Sequence, residues 1–357
     1  MCQTKTWHSN GFPNGNIRIT KLPHFWMVRD DLLPFGFGTK WRKVMGILSY
    51  LHSNQIPKVL LWGAIHGNYL ASFTTILRQF GISVETITYS KDPNLRTYNE
   101  RLVQSHSENV RCYANRKIAE SEFLETSKHF QGLCLPEFGL HPNLTIGLTS
   151  FWLELQAEME RTNHPILERE SKAPDANVKT DPSILLPGQN QIQKKKKYPA
   201  ILIMEIGSGV SFLSAFDFFF GSTVHVLGVM VGEPKKTWLS KVEGIQSKLG
   251  MKIRPIPEEQ ILEMDQHNLD SKASANDGTR FGKRKPFHNQ WIQNFYETYE
   301  ILLEPIYSAN TVLSLTKWIS RENPTPSFAK ESLNSQTPIF YLHQGGQIQH
   351  LDLVLRK

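Results

Sequence analysis

The sequence predicts an α/β fold with parallel β-sheet, arranged in two lobes. From residue 58 onward, short apolar runs alternate with helix-like segments, which is typical of parallel strands joined by crossover helices. The chain has 357 residues, more than one compact core usually contains, so two lobes or domains are expected. Hydrophobic residues make up 39% of the chain, which argues against a mostly disordered protein.

The first half of the chain contains the clearest alternation of strand and helix. An amphipathic helix is predicted after Thr39, where apolar residues recur at helical spacing. The apolar run 58–62 predicts a strand, and Gly81 predicts the end of the helix that follows it. A second strand over 82–89 and a long helix over about 143–161 complete this half.

The second half repeats the pattern around a glycine turn. A buried strand is expected over 200–206, and its small-residue turn at 207–211 leads into an apolar helix. The remaining predicted elements are a strand over 224–231, helices over 235–249, 289–303 and 310–320, and a last strand over 338–343. Two polar segments, 162–197 and 265–285, fall outside the pattern and are interpreted as surface insertions.

Charge and cysteine content exclude several classes of protein. The formal net charge is +7, and four of the lysines lie in the run 194–197. The sequence has no stripe of alternating basic and aromatic residues, so nucleic-acid binding is not indicated. Cys2, Cys112 and Cys134 form no CxxC pair, which disfavours a disulfide scaffold and a zinc knuckle. The N-terminus lacks a signal-peptide pattern, and charged residues and glycines interrupt the apolar stretch 201–220. We therefore expect a cytoplasmic protein with no membrane or metal partner.

The turn Gly207–Ser211 is a candidate anion site. Glycines between a buried strand and a helix let the backbone approach an anion, and the first free N–H groups of the helix point toward it. The spacing matches neither a P-loop nor the G-x-G-x-x-G dinucleotide pattern, so a phosphate monoester fits better than a nucleotide. A tight turn without a ligand is the alternative interpretation.

Lys40 is a candidate nucleophile at the start of the helix after Thr39. A lysine that forms an imine with an aldehyde cofactor needs a lowered pKa, which burial or cationic neighbours provide. Arg42 and Lys43 supply charge nearby, and Phe37 and Trp41 supply apolar surroundings. A solvated lysine at a helix start is the alternative.

Taken together, six motifs in order resemble a known family. They are Gly-Thr-Lys40-x-Arg-Lys43, the loop 63–68, Leu135-Pro-Glu-Phe-Gly139 followed by Gly147-Leu148, the turn at 207, Glu304-Pro-Ile-Tyr-Ser308, and His343-Gln-Gly-Gly346. Over roughly residues 29–346 the chain resembles the 1-aminocyclopropane-1-carboxylate deaminases and D-cysteine desulfhydrases. These are pyridoxal-phosphate enzymes with the fold of tryptophan synthase β, known as fold type II.

The resemblance implies a fold, a cofactor and a set of site residues. A small lobe, 56–159, would be inserted into a large lobe made of 1–55 and 160–357. Lys40 stands where the family lysine binds the cofactor aldehyde, although Thr39 replaces the family asparagine. Tyr307 stands at the catalytic tyrosine, with Glu304 in place of aspartate. The other cofactor-binding positions implied are Asn68 at the 3-hydroxyl, Gly207, Ser208, Gly209, Val210 and Ser211 at the phosphate, and Ser308 at the pyridine nitrogen.

This chain also departs from the family pattern. The family has Gln-Ser-Asn where this chain has His66-Gly67-Asn68, so the serine hydroxyl near the substrate is absent. His66 can replace it as a general base, but packing or hydrogen bonding beside the loop is the interpretation we favour. Phe138 replaces a family glycine, and Val210-Ser211 replaces Gly-Thr. Separately, Glu297, Glu300 and Glu304 are at helical spacing and predict a solvated or helix-end acidic face.

The expected activity is that of a pyridoxal-phosphate lyase acting on a small amino acid. Removal of the α-proton, loss of a β-substituent and hydrolysis would give a 2-oxo acid and ammonia, as in a D-cysteine desulfhydrase. Two alternatives remain open: a ring-opening deaminase of a cyclopropane amino acid, which Gly67 disfavours, and a cofactor-binding protein that has lost turnover. The resemblance further implies a homodimer.

Overall fold

A computed structural model describes residues 17–163, 200–263, 286–320 and 337–353. The predicted insertion 162–197, which includes the run 194–197, lies outside the described residues except for its first two residues, which are helical. The segment 265–285 also lies outside them. The strands are β1 Ile19–Lys21, β2 Trp26–Arg29, β3 Lys58–Ala64, β4 Ser83–Tyr89, β5 Asn109–Tyr113, β6 Leu133–Leu135, β7 Ala200–Ile206, β8 Val224–Met230, β9 Ile261–Glu263 and β10 Ile339–His343.

Ten α-helices accompany these strands in the described ranges. They are α1 Thr39–Ser53, α2 Asn68–Gln79, α3 Tyr98–His106, α4 Arg116–Ser127, α5 Pro142–Asn163, α6 Val210–Phe218, α7 Lys235–Leu239, α8 Val242–Lys248, α9 Pro286–Tyr299 and α10 Ser308–Ile319. None of the helices in the described part of the chain has the length and apolar character needed to cross a bilayer.

The strands form two sheets. One has four parallel strands in the order β5-β4-β3-β6, all drawn from residues between Lys58 and Leu135. The other has six strands in the order β1-β2-β10-β7-β8-β9, and only β1 runs antiparallel to its neighbour. The predicted α/β fold with parallel sheet is confirmed, and the lobe boundaries at 56 and 159 stay a prediction.

Helix α1, which carries Lys40, packs closely against α5. A Cβ at Gly46 would lie 2.0 Å from the carbonyl oxygen of Asn143, and one at Gly147 would lie 2.2 Å from that of Arg42. No side chain fits at either crossing point, so glycine on both helices permits the contact. Helix α1 is therefore held in place by backbone contact with its neighbour.

Two predicted helices have different bounds in the structure. The segment 235–249 is two short helices, α7 and α8, and at the break the Ser240 hydroxyl donates to the carbonyl oxygen of Thr237 at 2.8 Å. The helix predicted over 289–303 ends at Tyr299, because Glu300 adopts φ +55. This turn directs the residues from Ile301 onward into the core, where the sequence predicted another helical turn.

Candidate active site

Lys40 lies in the first turn of α1, where two backbone segments approach closely. Gly38, just before the helix, has φ +60, and a Cβ there would lie 1.9 Å from the Gln344 carbonyl oxygen. Only glycine accommodates both this backbone conformation and this contact. The Gly346 N–H donates to the Gly36 carbonyl oxygen at 2.7 Å. The loop after β10 therefore fixes the start of the helix that carries Lys40.

The Lys40 amine is desolvated near two carboxylates. Burial lowers its pKa, and the charges of Glu304 and Glu205 act in the opposite direction. Phe37 and Trp41, which the sequence placed around the amine, are both buried. A lysine with a lowered pKa is more readily neutral, and the neutral amine is the form that attacks an aldehyde.

The two basic residues that follow Lys40 have different surroundings. The Arg42 guanidinium lies 2.8 Å from the Asp30 carboxylate and 4.1 Å from the centroid of the Phe151 ring, and both ionic partners are buried. Its charge is therefore balanced. Burial lowers the pKa of Lys43 to about 7, and the charge of Lys40 contributes to this lowering. The charge of Lys40 thus acts on Lys43, whereas the charges that act on Lys40 are those of Glu304 and Glu205.

The turn at 207–211 has the features of an anion site. Gly209 adopts φ +86 directly before α6, and a Cβ there would lie 2.5 Å from the Trp238 ring. A Cβ at Gly207 would meet no atom within 4 Å, so space is open beside the turn. The Ser211 hydroxyl is buried and has no hydrogen-bond partner within the described ranges. A buried hydroxyl without a partner, beside free helix N–H groups and open space, suits a bound anion.

Glu205, two residues before this turn, is a buried acid and was not among the residues predicted for the site. Its carboxylate accepts hydrogen bonds from the Tyr341 hydroxyl and, at 3.1 Å, from the Gln344 amide. The same amide also donates to the Glu205 carbonyl oxygen at 2.9 Å. The signal available in the sequence was a charged residue near the end of the apolar strand 200–206. A buried acid needs hydrogen-bond partners, so its presence in such a strand indicates a polar site.

Glu304 is a second buried acid, and it shapes the loop before α10. Its carboxylate accepts hydrogen bonds from the backbone N–H groups of Ile306 at 2.8 Å, Tyr307 at 2.6 Å and Ser308 at 3.2 Å. The residue is 1% exposed, so the prediction that it belongs to a solvated acidic face is wrong. Burial raises the pKa of the Glu304 carboxyl to about 7, against the effect of the three N–H donors.

Tyr307 and Ser308 lie directly after the same loop. Burial, together with the nearby Glu304 charge, raises the pKa of the Tyr307 phenol, which keeps its proton at neutral pH. The Ser308 hydroxyl accepts from the Glu304 N–H at 2.6 Å and donates to the Glu304 carbonyl oxygen at 3.1 Å. Ser308 thus supports the Glu304 loop, and its implied contact with a pyridine nitrogen stays a prediction.

Asn68 is the first residue of α2, and it faces Glu304 across a glycine. A Cβ at Gly346 would lie 3.3 Å from the Asn68 Nδ2 atom and 3.0 Å from the Glu304 Cγ atom. The Asn68 Oδ1 atom accepts a hydrogen bond from Asn99 at 2.8 Å. Helix α2 and the loop before α10 therefore meet at Gly346, in the loop after β10 that also fixes the start of α1.

His66 is held by hydrogen bonds beside this site. Its Nδ1 atom lies 3.0 Å from the Thr97 hydroxyl and its Nε2 atom 3.0 Å from the Ser90 hydroxyl. Burial lowers the pKa of the imidazole. Both ring nitrogens are engaged with hydroxyls, which agrees with the structural role favoured for His66 and not with a general base that replaces a serine at Gly67.

Phe138, where the resembled family has glycine, adopts φ +66 and is exposed. This is a conformation that glycine adopts freely and a phenylalanine adopts at a cost. Its ring centroid lies 6.4 Å from that of Tyr69, the residue after Asn68. The backbone turn is thus one that suits the family glycine, although the side chain differs.

The structure brings together most of the residues selected from sequence. Gly38 at the start of α1, Asn68 and Glu304 all lie against the loop after β10, and the charges of Glu304 and Glu205 act on Lys40. The turn at 207 begins two residues after Glu205, at the same end of β7. The cluster therefore combines an amine with a lowered pKa, two buried acids, a protonated phenol and a candidate anion turn.

The raised pKa of Glu304 predicts a pH-dependent stability of the cofactor-free protein. Folded Glu304 keeps its proton up to about pH 7, whereas in the unfolded chain it ionises near 4.5. The folded state then binds more protons between these values, so the free energy of unfolding should fall as pH rises through this window, by about 3 kcal/mol. Urea unfolding at a series of pH values would measure this slope.

The variant Glu304→Gln should flatten that slope, because glutamine carries no titrating proton. The matched control is Glu125→Gln, since Glu125 is exposed and pairs with Lys128 at the surface. An unchanged slope in Glu304→Gln would assign the pH dependence to other groups.

Comparison with known proteins gives structural likeness only. No protein-family model matches the chain, and no curated protein matches it. Among solved structures, an ACC deaminase homologue matches with a TM-score of 0.64 and 18% identity over 96% of this chain and 92% of that one.

Two further matches cover similar lengths. An O-ureido-L-serine synthase matches with a TM-score of 0.57 and 10% identity over 94% of this chain and 91% of that one. A hydrogen sulfide-producing enzyme from Fusobacterium nucleatum matches with a TM-score of 0.55 and 12% identity over 94% and 97%. These likenesses extend over nearly the whole chain and confirm the predicted tryptophan-synthase-β type of fold.

Proposed function

We propose that this protein is a pyridoxal-phosphate enzyme that eliminates a β-substituent from a small amino acid, with D-cysteine as the best substrate candidate. The observation that carries the proposal is the burial of the Lys40 amine near two buried acids and the loop after β10. This burial lowers the pKa of the amine. A nucleophilic lysine in such a setting suits covalent capture of an aldehyde cofactor.

Residues of the candidate site suit three groups of that cofactor. The unpartnered Ser211 hydroxyl and the first N–H groups of α6 suit the phosphate, and the open space at Gly207 gives it room. The Asn68 side-chain amide suits the 3-hydroxyl, and Lys40 suits the aldehyde. Ser308 is proposed for the pyridine nitrogen on the resemblance alone.

The chain's own groups have distinct tasks in this proposal. When bound, the cofactor withdraws electrons from the α-carbon of an attached amino acid. Lys40 Nζ would hold the cofactor until a substrate amine replaces it, and would then accept the proton from the substrate α-carbon. Because burial lowers its pKa, this amine is more readily neutral than an exposed lysine. Glu205, and Glu304 in its ionised form, would stabilise the charge that Lys40 gains.

Tyr307 would supply the proton for the leaving group. Its phenol stays protonated at neutral pH, so it can donate to a departing sulfur. The overall reaction consumes D-cysteine and one water and yields pyruvate, hydrogen sulfide and ammonia. The structural likeness to an ACC deaminase homologue and to a hydrogen sulfide-producing enzyme supports this class of reaction.

The test is a panel of small amino acids offered to the purified protein loaded with pyridoxal phosphate. Absorbance of the bound cofactor and release of 2-oxo acid are followed together. We expect D-cysteine to change the spectrum and to release pyruvate and sulfide. A spectral change without product from any amino acid would favour a cofactor-binding protein without turnover. A protein that takes up no cofactor would overturn the proposal.

The variant Gly67→Ser tests the ring-opening alternative. Gly67 has φ −80 and ψ 140, which any residue adopts, and a Cβ would lie 3.1 Å from the Ala64 carbonyl oxygen. A serine should therefore fit with a small shift. We expect release of 2-oxobutanoate from 1-aminocyclopropane-1-carboxylate to appear in Gly67→Ser and to be absent in the wild type and in Gly67→Ala, which lacks the hydroxyl.

Ring opening by the wild type, or by Gly67→Ala, would show that position 67 does not restrict this reaction. The homodimer and the cytoplasmic location expected from the sequence stay predictions.

A further inference from the structure

Asn99 is a buried amide that links two backbone segments of the candidate site. It lies in the first turn of α3 and is 3% exposed. Its Nδ2 atom donates to the His66 carbonyl oxygen at 3.0 Å and to the Asn68 Oδ1 atom at 2.8 Å. Both N–H bonds of the Asn99 amide are therefore used, one on the loop before α2 and one on a proposed cofactor ligand.

These contacts determine which atom of the Asn68 amide faces Asn99. The His66 carbonyl oxygen can only accept, so the Asn99 atom beside it must be the nitrogen. The same nitrogen faces Asn68, so the Asn68 atom beside it must be the oxygen. The Asn68 NH₂ group is consequently directed the other way, toward Gly346 and Glu304. The polarity follows from a backbone carbonyl and does not depend on how either amide is assigned.

The position of Asn99 is itself fixed by the N-terminus of α3. The Thr97 hydroxyl caps the helix by accepting from the Glu100 N–H at 3.2 Å, and the Tyr98 N–H donates to the Asp352 carboxylate at 2.7 Å. The backbone at Asn99 is therefore fixed, and its side chain is held by the contact with the His66 carbonyl oxygen. The geometry favours one orientation of the Asn68 amide over the reverse.

We propose that Asn99 is a positioning residue that holds the Asn68 NH₂ group toward Gly346, where it donates to the 3-oxygen of pyridoxal phosphate. This inference rests on the proposed function. Asn99 acts through Asn68 and does not touch the cofactor. Without it, Asn68 can present its carbonyl oxygen to the cofactor's 3-oxygen, and the two acceptors repel each other when that oxygen is deprotonated.

The test uses Asn99→Asp, which has the same shape but presents only acceptors when ionised. Asn68 should then rotate to donate to the introduced carboxylate, and its oxygen should face Gly346. Dissociation constants are measured for pyridoxal phosphate and for 3-deoxypyridoxal phosphate, which lacks the 3-oxygen. We expect Asn99→Asp to weaken binding of pyridoxal phosphate about 10- to 100-fold, and to weaken binding of the deoxy analogue much less.

Three further variants complete the experiment. Asn115→Asp is the matched control, because Asn115 is an exposed helix cap on α4 whose side chain accepts from the Ile118 N–H; both affinities should be unchanged. Asn99→Ala, which frees the Asn68 amide without adding charge, should give a smaller loss. In an Asn68→Ala background, Asn99→Asp should have no further effect on the affinity for pyridoxal phosphate.

The outcomes separate this inference from the proposed function. A wild-type protein that does not bind pyridoxal phosphate defeats both. If the wild type binds pyridoxal phosphate, two results overturn the positioning role alone. One is that Asn99→Asp weakens the binding of both ligands equally; the other is that it adds its full effect in the Asn68→Ala background. Thermal unfolding of the cofactor-free variants identifies a folding defect, and in that event Asn99→Ala supplies the same comparison of ligands.

Discussion

Lys40→Ala is expected to give a folded protein that neither acquires the visible absorbance of bound pyridoxal phosphate nor releases pyruvate from D-cysteine. The substitution removes the only group proposed to bond to the cofactor aldehyde. It also removes the base proposed at the α-carbon, a role whose loss costs about 10²- to 10⁴-fold in rate. Because burial already disfavours the charged amine, the cofactor-free variant should unfold near the wild-type temperature.

Borohydride reduction identifies the attachment point independently of turnover. In the wild type, reduction should make the link to the cofactor permanent, and peptide mapping should locate it at Lys40. Lys43 is the most stringent competitor, because its pKa is also lowered, to about 7. Lys58→Ala is the control, since Lys58 pairs with Glu85 at 3.4 Å on a partly exposed strand end. A tag on Lys43, or full colour in Lys40→Ala, would contradict the assignment.

The alternation of strands and helices could be predicted because it is a local property of the sequence. Strands β3, β4, β7, β8 and β10 lie close to the predicted positions, since each is a run of five to seven residues rich in apolar or β-branched side chains. Strands β1, β6 and β9 have three residues each, too few to establish a period. Their pairing depends on neighbours distant in the chain.

The two buried acids show why part of the site could not be predicted. Glu304 is at helical spacing from Glu297 and Glu300, and that spacing suggested one solvated face. The positive φ of Glu300 ends the helix, so the spacing no longer describes a common face beyond it. Glu205 depends on Tyr341 and Gln344, more than 130 residues away, for its partners.

Asn99 illustrates the same limit for a polar residue. Its sequence neighbourhood predicts only a helix start, because Thr97 is a typical N-cap residue. Its contact with Asn68 joins two helices, and no local pattern encodes it. By contrast, Lys40, Asn68 and the turn at 207 each stand at the end of a recognisable element, where functional side chains of α/β folds gather.

Gly209→Ala is expected to produce the largest loss of stability in the anion turn and to impair retention of pyridoxal phosphate. Gly209 has φ +86, and its new Cβ would lie 2.5 Å from the buried Trp238 ring. The left-handed backbone and the overpacking together should cost about 2–4 kcal/mol of unfolding free energy. Urea unfolding of the cofactor-free variant measures this loss.

Gly207→Ala is the matched comparison two residues earlier in the same turn. A Cβ there meets nothing within 4 Å, so its unfolding free energy should stay within about 0.5 kcal/mol of the wild type. Because the turn orients the first N–H groups of α6, distortion at Gly209 should weaken phosphate binding even in the fraction of protein that folds. Equal stability of the two variants would show that the Trp238 side chain moves to accommodate the added methyl group. Unchanged cofactor affinity in Gly209→Ala would place the phosphate elsewhere.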